Sequence, residues 1–550
     1  ETITVTEMLS SQISKMGAEC GTDLTISRIK PLSDFAGNQY YVVEFEPTGY
    51  LICHGEYGET LEYAEESPSP YLGMEGNLLY AGPTYYYSLK EEALSNPVFG
   101  EKVNLNDTSS IAALTAISDD LTNNIAEAAK FHVESAHDTA QLAAAYSTLE
   151  NTTISVNAAP TPTGTKHYVP NDTVGAEMAT LRTSEQMGYV DGGICGYIAT
   201  GLLFYWLDEI KGIDWIINDF AYLNGRHSGF VGGNLSRKLR TYGSENGSDA
   251  AGYLSQSIKE VIESYAADNY LTITTEATPL GTDAGVIEAM QQNAAPVIVF
   301  SYIAKDGVNF DSHAVLAYGY TSTGQVLVHY GHPNYPQVVL HRLSPAHGSY
   351  LAYKHSEKKN IYISDVSSSH WGQEAIDFAV RYQLFTLNGG RFFPDSSASR
   401  AAFVRALYYL AGEPDVSSYS GVLNKYTDRP GTDSQYYSAV VWAVANGILT
   451  GTSETTLELW SALTREQSAV FLNRYCNKLN CSFSSTSGPS YTTFSDYTSV
   501  SDYAKANVNW ATRRYLLRGD NGRLYPLNTL TNAETAQLLY NLTKAAHQTR

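Results

Sequence analysis

The sequence predicts a multidomain chain: an N-terminal α+β region, an α+β middle domain and an all-α C-terminal repeat bundle. Three observations predict it. Strand-like alternation dominates residues 1 to about 100, strand and helix patterns mix between 166 and 360, and one motif order recurs three times after 360. At 550 residues, length alone suggests about three or four domains.

In the first region, "QYYVVEFEP" and "GYLICHGEYGETLEYAEE" read as strands between Pro, Thr and Gly turns. "IAALTAISDDLTNNIAEAAKFHVESAHDTAQLAAAYSTL" has helical spacing and predicts one or two helices over about 105–150. The region therefore spans 1–150. "NTTISVNAAPTPTGT", at 151–165, has little to bury and reads as a linker. The middle domain spans 166–360. It has a helix after Cys195, another near 252–266, and the strand-like runs "PVIVFSYI", "HAVLAYGY", "GQVLVHYG" and "QVVLHRL".

Composition narrows the function classes. The apolar fraction is 43%, enough for real cores, while charged residues are only 17% and tyrosines number 42. A surface wetted by hydroxyls and amides points outside the cell. The net charge of −22 excludes the basic face that nucleic-acid binding needs, and disfavours anionic membranes. No run reaches the roughly 18 apolar residues of a membrane span, so no membrane insertion is expected. No secretory leader opens the chain at Glu1, so an exported protein would be a processed form. The five cysteines are too few for a disulfide scaffold and lack zinc-ligand spacing. Pairing of Cys476 with Cys481, and of Cys20 with Cys53, is left open. Glu65–Glu66 and Asp119–Asp120 read as solvated faces. The sequence shows no phosphate loop, no metal cluster and no cofactor signature.

The C-terminal third holds three segments, at 361–415, 422–480 and 490–548. Each opens on an aspartate (Asp365, Asp428, Asp496), then has an aromatic before a helix, a Gly-containing loop, a polar cap and a second helix. The aspartates lie 63 and 68 residues apart. These segments resemble S-layer homology domains. The resemblance implies a pseudo-threefold helical bundle that binds secondary cell-wall polysaccharide. It also implies a bacterial cell-wall or S-layer location. The family's Thr-Arg-Ala-Glu motif appears as "SRAA" (Ser399 to Ala402), "TREQ" (Thr464 to Gln467) and "TNAE" (Thr531 to Glu534). Arg400 and Arg465 are the expected partners of a sugar carboxylate, because a guanidinium can bind one with two hydrogen bonds. Trp371, Asp365, Asp428 and Asp496 join them as expected carbohydrate-binding residues. Asn532 departs from the motif, which puts one groove in doubt. In the plainer reading the Ser and Thr residues are helix caps and the arginines are solvated.

"DGGICGYIATGLLFYW" places Cys195 at the start of an apolar helix. The positive end of the helix favours a thiolate, and Gly192 and Gly193 let a substrate chain approach. "FDSHAVLAYGY" supplies His313 as a base, and "VLVHYGHPN" follows sixteen residues later. This arrangement resembles a papain-like cysteine peptidase, nearest the streptopain-related branch, over residues 166–350. Cys195 then carries over as nucleophile and His313 as base. The family's orienting residue is usually Asn. Here His329 holds that position, His332 stands where Trp is common, and Asn334 is the alternative. Gln186, nine residues before the cysteine, is the candidate oxyanion-hole glutamine.

"YYVVEFEPTGYLICHGEYGETLEYAEESPSPYLG" resembles the propeptide of streptopain-like zymogens. That implies a removable cap with a cut site at 151–165. The expected protein is a secreted, wall-anchored cysteine peptidase acting on peptides or proteins. The rival is an inactive papain-like surface protein whose repeats do the main work. A thiol acyltransferase would use the same nucleophile.

Overall fold

The computed structural model describes residues 2–21, 24–100, 102–128, 153–155, 164–181, 194–212, 222–223, 226–227, 234–245, 255–278, 282–300, 303–305, 308–310, 313–341 and 349–548. The chain is multidomain, with a mixed-sheet region first and a helical region last. One compact unit comprises 1–206, 231–265 and 273–356, and the other 207–230, 266–272 and 357–550. Among the described residues no helix is long and apolar enough to cross a membrane.

The first unit opens with α1 (Val5–Cys20), where a strand bank was expected. Val5, Met8, Leu9, Ile13 and Met16 recur at helical spacing and are buried. Thr4 and Glu7 form a reciprocal capping box that fixes the start. The strands β1 (Thr25–Ser33), β2 (Gln39–Glu46), β3 (Tyr50–His54) and β4 (Thr60–Ala64) follow as an antiparallel run. Next come β5 (Leu78–Tyr80), β6 (Tyr86–Lys90), β7 (Ala93–Ser95), β8 (Lys102–Asn104) and α2 (Thr108–Ala128). Residues 129–150 of the expected helical stretch lie outside the described residues.

The middle of the chain adds β9 (Lys166–Tyr168), α3 (Cys195–Tyr205), β10 (Leu271–Thr278), β11 (Val297–Phe300), β12 (Ala314–Thr321), β13 (Val326–His329), β14 (Val338–Leu340) and β15 (Ser349–Lys358). β11 to β14 fall on the four apolar runs read from sequence. Among the described residues all these strands join one 15-stranded sheet, in the order β10-β15-β11-β12-β13-β14-β4-β3-β2-β1-β5-β6-β7-β8, with β9 on β12. The seam between its halves is β14 on β4, with Val339 opposite Tyr63 and Leu340 opposite Glu62.

The apolar core crosses this seam. Met8, Leu9, Ile13 and Met16 of α1 pack with Val43, Leu51 and Tyr63, and with Leu327 and Val339 from the other half. The expected N-terminal and middle domains therefore share one sheet and one core. Part of the expected linker is also ordered: Thr153–Ser155 pairs antiparallel with Thr2–Thr4.

The C-terminal unit contains α4 (Gln373–Arg381), α5 (Arg400–Leu410), α6 (Tyr437–Ala445), α7 (Arg465–Lys478), α8 (Lys505–Arg513) and α9 (Asn532–Ala545). α5 packs on α6, α7 on α8, and α9 back on α4. The second helix of each segment thus lies on the first helix of the next, and the chain closes a ring. The backbone repeats this closure. Ala398 N–H donates to Leu530 O, Leu530 N–H to Leu463 O, and Leu463 N–H to Ala398 O, each at 2.9 Å.

Candidate functional site

α3 begins at Cys195, and its first ten residues, Cys195 to Phe204, are buried. Such an all-round apolar helix belongs in a core, and it packs against β11 and β12. Ile194 at the N-cap has no side-chain oxygen, so the cap residue does not occupy the first N–H groups. Cys195 is 4% exposed.

His313 stands immediately before β12 and is 3% exposed. Its Nε2 lies 3.2 Å from the backbone carbonyl of Tyr330. A carbonyl only accepts, so Nε2 carries the proton and the neutral ring keeps its lone pair on Nδ1. Phe99, from the N-terminal region, lies over the imidazole with ring centroids 4.0 Å apart. The Tyr330 ring meets it edge-on at 6.4 Å.

His329 ends β13 and is fully buried. Its Nδ1 accepts from Gly331 N–H at 2.9 Å, and its Nε2 donates to Leu181 O at 2.9 Å. Both ring nitrogens thus bond to backbone, a framework role. Asn334 is exposed, and its N–H donates to His332 Nδ1 at 3.2 Å. Burial pushes the His332 imidazole down to about 4. His313 Nε2 is therefore held by the carbonyl of Tyr330, the residue that follows His329. A backbone acceptor leaves no side-chain signature, which is why sequence reasoning missed it. Gln186, Gly192 and Gly193 lie outside the described residues.

Beneath Tyr330 sits Glu62 of β4, fully buried. Tyr86 Oη donates to Glu62 Oε1 at 2.7 Å and Tyr330 Oη to Glu62 Oε2 at 2.9 Å. Burial pushes this carboxyl up to about 7, against the hydrogen bonds from Tyr86 and Tyr330. The sequence carried no signal that singled out Glu62. Phe99 likewise carried no signal, since its partner lies on a distant part of the chain.

In the C-terminal ring the motif side chains form threefold-related contacts. Arg400 Nε donates to Leu457 O at 3.1 Å and Arg465 Nε to Leu524 O at 2.8 Å. Asn532 Nδ2 donates to Phe393 O at 3.0 Å, so the departing residue does the same job with a shorter arm. Each side chain thus ties its helix to the loop of the next segment. The aspartates hold those same loops. Asp365 accepts from Phe392 and Phe393 N–H, Asp428 from Leu457 and Glu458 N–H, and Asp496 from Leu524 and Tyr525 N–H. Ser399, Thr464 and Thr531 cap α5, α7 and α9, as the plainer reading holds.

The two arginines differ in access. Arg400 is 4% exposed, with its guanidinium over the Phe471 ring. Arg465 borders a cavity of about 320 Å³ whose lining includes Trp371, Arg518, Glu534, Gln537 and Asn541. Arg465 Nη1 lies 3.5 Å from Glu534, and Trp371 is 63% exposed. An exposed indole beside amides and a guanidinium is chemistry that suits a charged sugar.

Residues 493–536 match the family model described as S-layer homology domain. No curated protein matches the chain significantly. Among solved structures, a fragment of Prevotella intermedia prointerpain A matches 60% of this chain and 97% of its own, at 12% identity and a TM-score of 0.28.

Proposed function

We propose that the chain is a bacterial cell-surface cysteine peptidase, with its reaction centre at Cys195 and His313 and its anchor in the C-terminal ring. The S-layer homology domain at 493–536 implies cell-wall anchoring. One observation carries the peptidase reading. A cysteine opens a buried helix packed on the strand that follows His313, and the His313 Nε2–H is held by a backbone carbonyl. That bond directs the Nδ1 lone pair as the base.

In this reading His313 Nδ1 takes the Cys195 proton, and the thiolate attacks a peptide carbonyl. The Tyr330 carbonyl steadies the imidazolium. Backbone N–H groups at the start of α3 receive the oxyanion. His313 then protonates the leaving amine, and water releases the acyl group from sulfur. The Phe99 ring over His313 supports storage as a zymogen, with 151–165 as the proposed cut site. The proposed division of the chain into segments remains 1–150, 151–165, 166–360 and the three repeats, with the first and third of these sharing one sheet and one core.

The test is intact mass after an irreversible thiol-directed peptidase probe, on the full chain and on a chain cut within 151–165. One adduct on wild type, none on Cys195→Ala and a slow one on His313→Ala are expected. A Cys195 inert after the cut and in Phe99→Ala as well sinks the reading and leaves an anchored, non-catalytic protein.

For the anchor, the cavity at Trp371 and Arg465 is the proposed polysaccharide site. Arg465→Ala and Trp371→Ala should each weaken sedimentation with purified cell wall while the ring stays folded. Undiminished binding in both variants places the site elsewhere.

A further inference from the structure

The N-terminal half contributes a buried carboxyl to the frame of His313. Three oxygen contacts close a triangle: Tyr86 to Glu62 at 2.7 Å, Tyr330 to Glu62 at 2.9 Å, and Tyr86 to Tyr330 at 2.9 Å. The proton count decides which state fits. A neutral carboxyl brings one proton and the phenols bring two, so three protons serve three contacts. An ionised carboxyl leaves two protons for three contacts, and one pair of oxygens then faces without a hydrogen. The groups facing Glu62 are the phenols of Tyr50, Tyr71, Tyr80, Tyr86, Tyr330 and Tyr335. Burial keeps each of them neutral well past ordinary pH, so Glu62 is the member of this cluster that changes charge.

Tyr330 connects this triangle to the proposed reaction centre. Its phenol belongs to the triangle, and its carbonyl accepts from His313 Nε2 at 3.2 Å. Gly331 follows it in a left-handed turn at φ 75°, so the carbonyl leaves the strand on a tight bend. A shift of the ring is passed to the carbonyl through one residue.

We propose that Glu62 is a positioning residue for His313, acting through Tyr330, whose phenol it fixes and whose carbonyl holds the imidazole. Its consequence for Cys195 rests on the peptidase reading; its relation to His313 does not. Loss of the Glu62 proton rearranges the triangle: both phenols then donate to the carboxylate, the Tyr86–Tyr330 contact loses its hydrogen, and the Tyr330 ring shifts and takes with it the acceptor on Nε2. The proposed site is then set by the N-terminal region as well as covered by it.

The experiment uses the full chain with isotope-labelled histidine. The His313 resonances are assigned with His313→Ala and titrated by NMR in wild type, Glu62→Gln and Tyr330→Phe. Cys195 alkylation by iodoacetamide is followed over the same pH range. Beside any protonation of the ring itself, wild type is expected to show a separate step in the His313 signal as Glu62, whose carboxyl burial pushes up to about 7, loses its proton. Glu62→Gln, neutral at every pH, should abolish that separate step, as should Tyr330→Phe. The alkylation profile should lose the same step. An unchanged His313 titration in a folded Glu62→Gln protein overturns the inference. If Glu62→Gln does not fold, Tyr330→Phe decides by the same criterion. A changed His313 titration with alkylation equally slow in all proteins, in Phe99→Ala and after a cut within 151–165 as well as before it, upholds the inference and rejects the peptidase reading.

Discussion

Phe99 and His313 stack with their ring centroids 4.0 Å apart and their planes tilted by 37°. Phe99 is 1% exposed and His313 3%, so each ring buries the other. An imidazole under an aromatic face is screened from water and from substrate. In the zymogen reading, Phe99→Ala should raise the iodoacetamide reaction rate of Cys195 severalfold. The same change should cost about 3–5 kcal/mol of stability, as loss of a buried Phe does. The rate is therefore read well below the melting temperature, with Phe99→Leu as the milder companion. An unchanged rate in a folded variant reduces Phe99 to core filling.

Glu62 makes stability depend on pH in a stated direction. Its folded value, pushed up to about 7, exceeds the unfolded value near 4.5. Its contribution is fully present below the unfolded value and is lost as pH rises through about 7. A shift of that size corresponds to roughly 3 kcal/mol. Glu62→Gln should therefore flatten the pH dependence, gaining on wild type at mildly alkaline pH more than at mildly acidic pH. Urea unfolding of the first unit at the two pH values checks this. Parallel losses in both proteins sink it.

These relations mark the boundary of what sequence could say. Strands β11 to β14 were legible because each is a short apolar run between turns. The second helices of the C-terminal segments were legible because Ser399, Thr464 and Thr531 announce their starts. α1 was not, because its helical spacing is diluted by the Ser and Gln residues between Val5 and Met16. At the candidate site, Cys195 and His313 could be singled out by residue type and neighbourhood. Tyr330 could not, since it acts through a carbonyl that every residue owns. Nor could the β4–β14 seam, because pairing between strands far apart in sequence leaves no local pattern.

The two motif arginines should part company under mutation. Arg400 donates to Leu457 O and Thr450 O and lies over Phe471. Arg400→Lys loses the fork geometry and should lower the melting temperature of the C-terminal unit. Arg465→Lys keeps a charge beside the cavity but cannot bind a carboxylate with two parallel bonds. It should weaken wall binding more than it weakens the fold. Equal effects of the two substitutions on both measurements would make the arginines equivalent staples.

Asp496 is expected to act on the fold. Burial raises its pKa, but the N–H groups of Leu524 and Tyr525 outweigh that and hold the carboxyl below its usual range. Its stabilisation is present above the unfolded value and lost as pH falls through the folded one. Asp496→Asn keeps one acceptor oxygen and should cost about 1–3 kcal/mol, read as a lower thermal midpoint for the C-terminal unit. The difference from wild type should shrink in acid. A variant as stable as wild type at neutral pH would refute the loop-holding role.

The seam bears on what a cut at 151–165 can achieve. β4 pairs with β14, and Met8, Leu9, Ile13 and Met16 share a core with Leu327 and Val339. Each fully buried side chain of this kind contributes about 1.5–3 kcal/mol, and the seam backbone groups would lose their partners on separation. Cleavage should therefore leave the N-terminal fragment bound. The nicked protein should elute as one species in size exclusion and separate only in denaturant. Glu62 would then stay beneath Tyr330, and activation would require local movement of Phe99 alone. If the fragment leaves without denaturant, the remaining chain must hold His313 without Glu62. The pH step in Cys195 alkylation should then vanish on cutting.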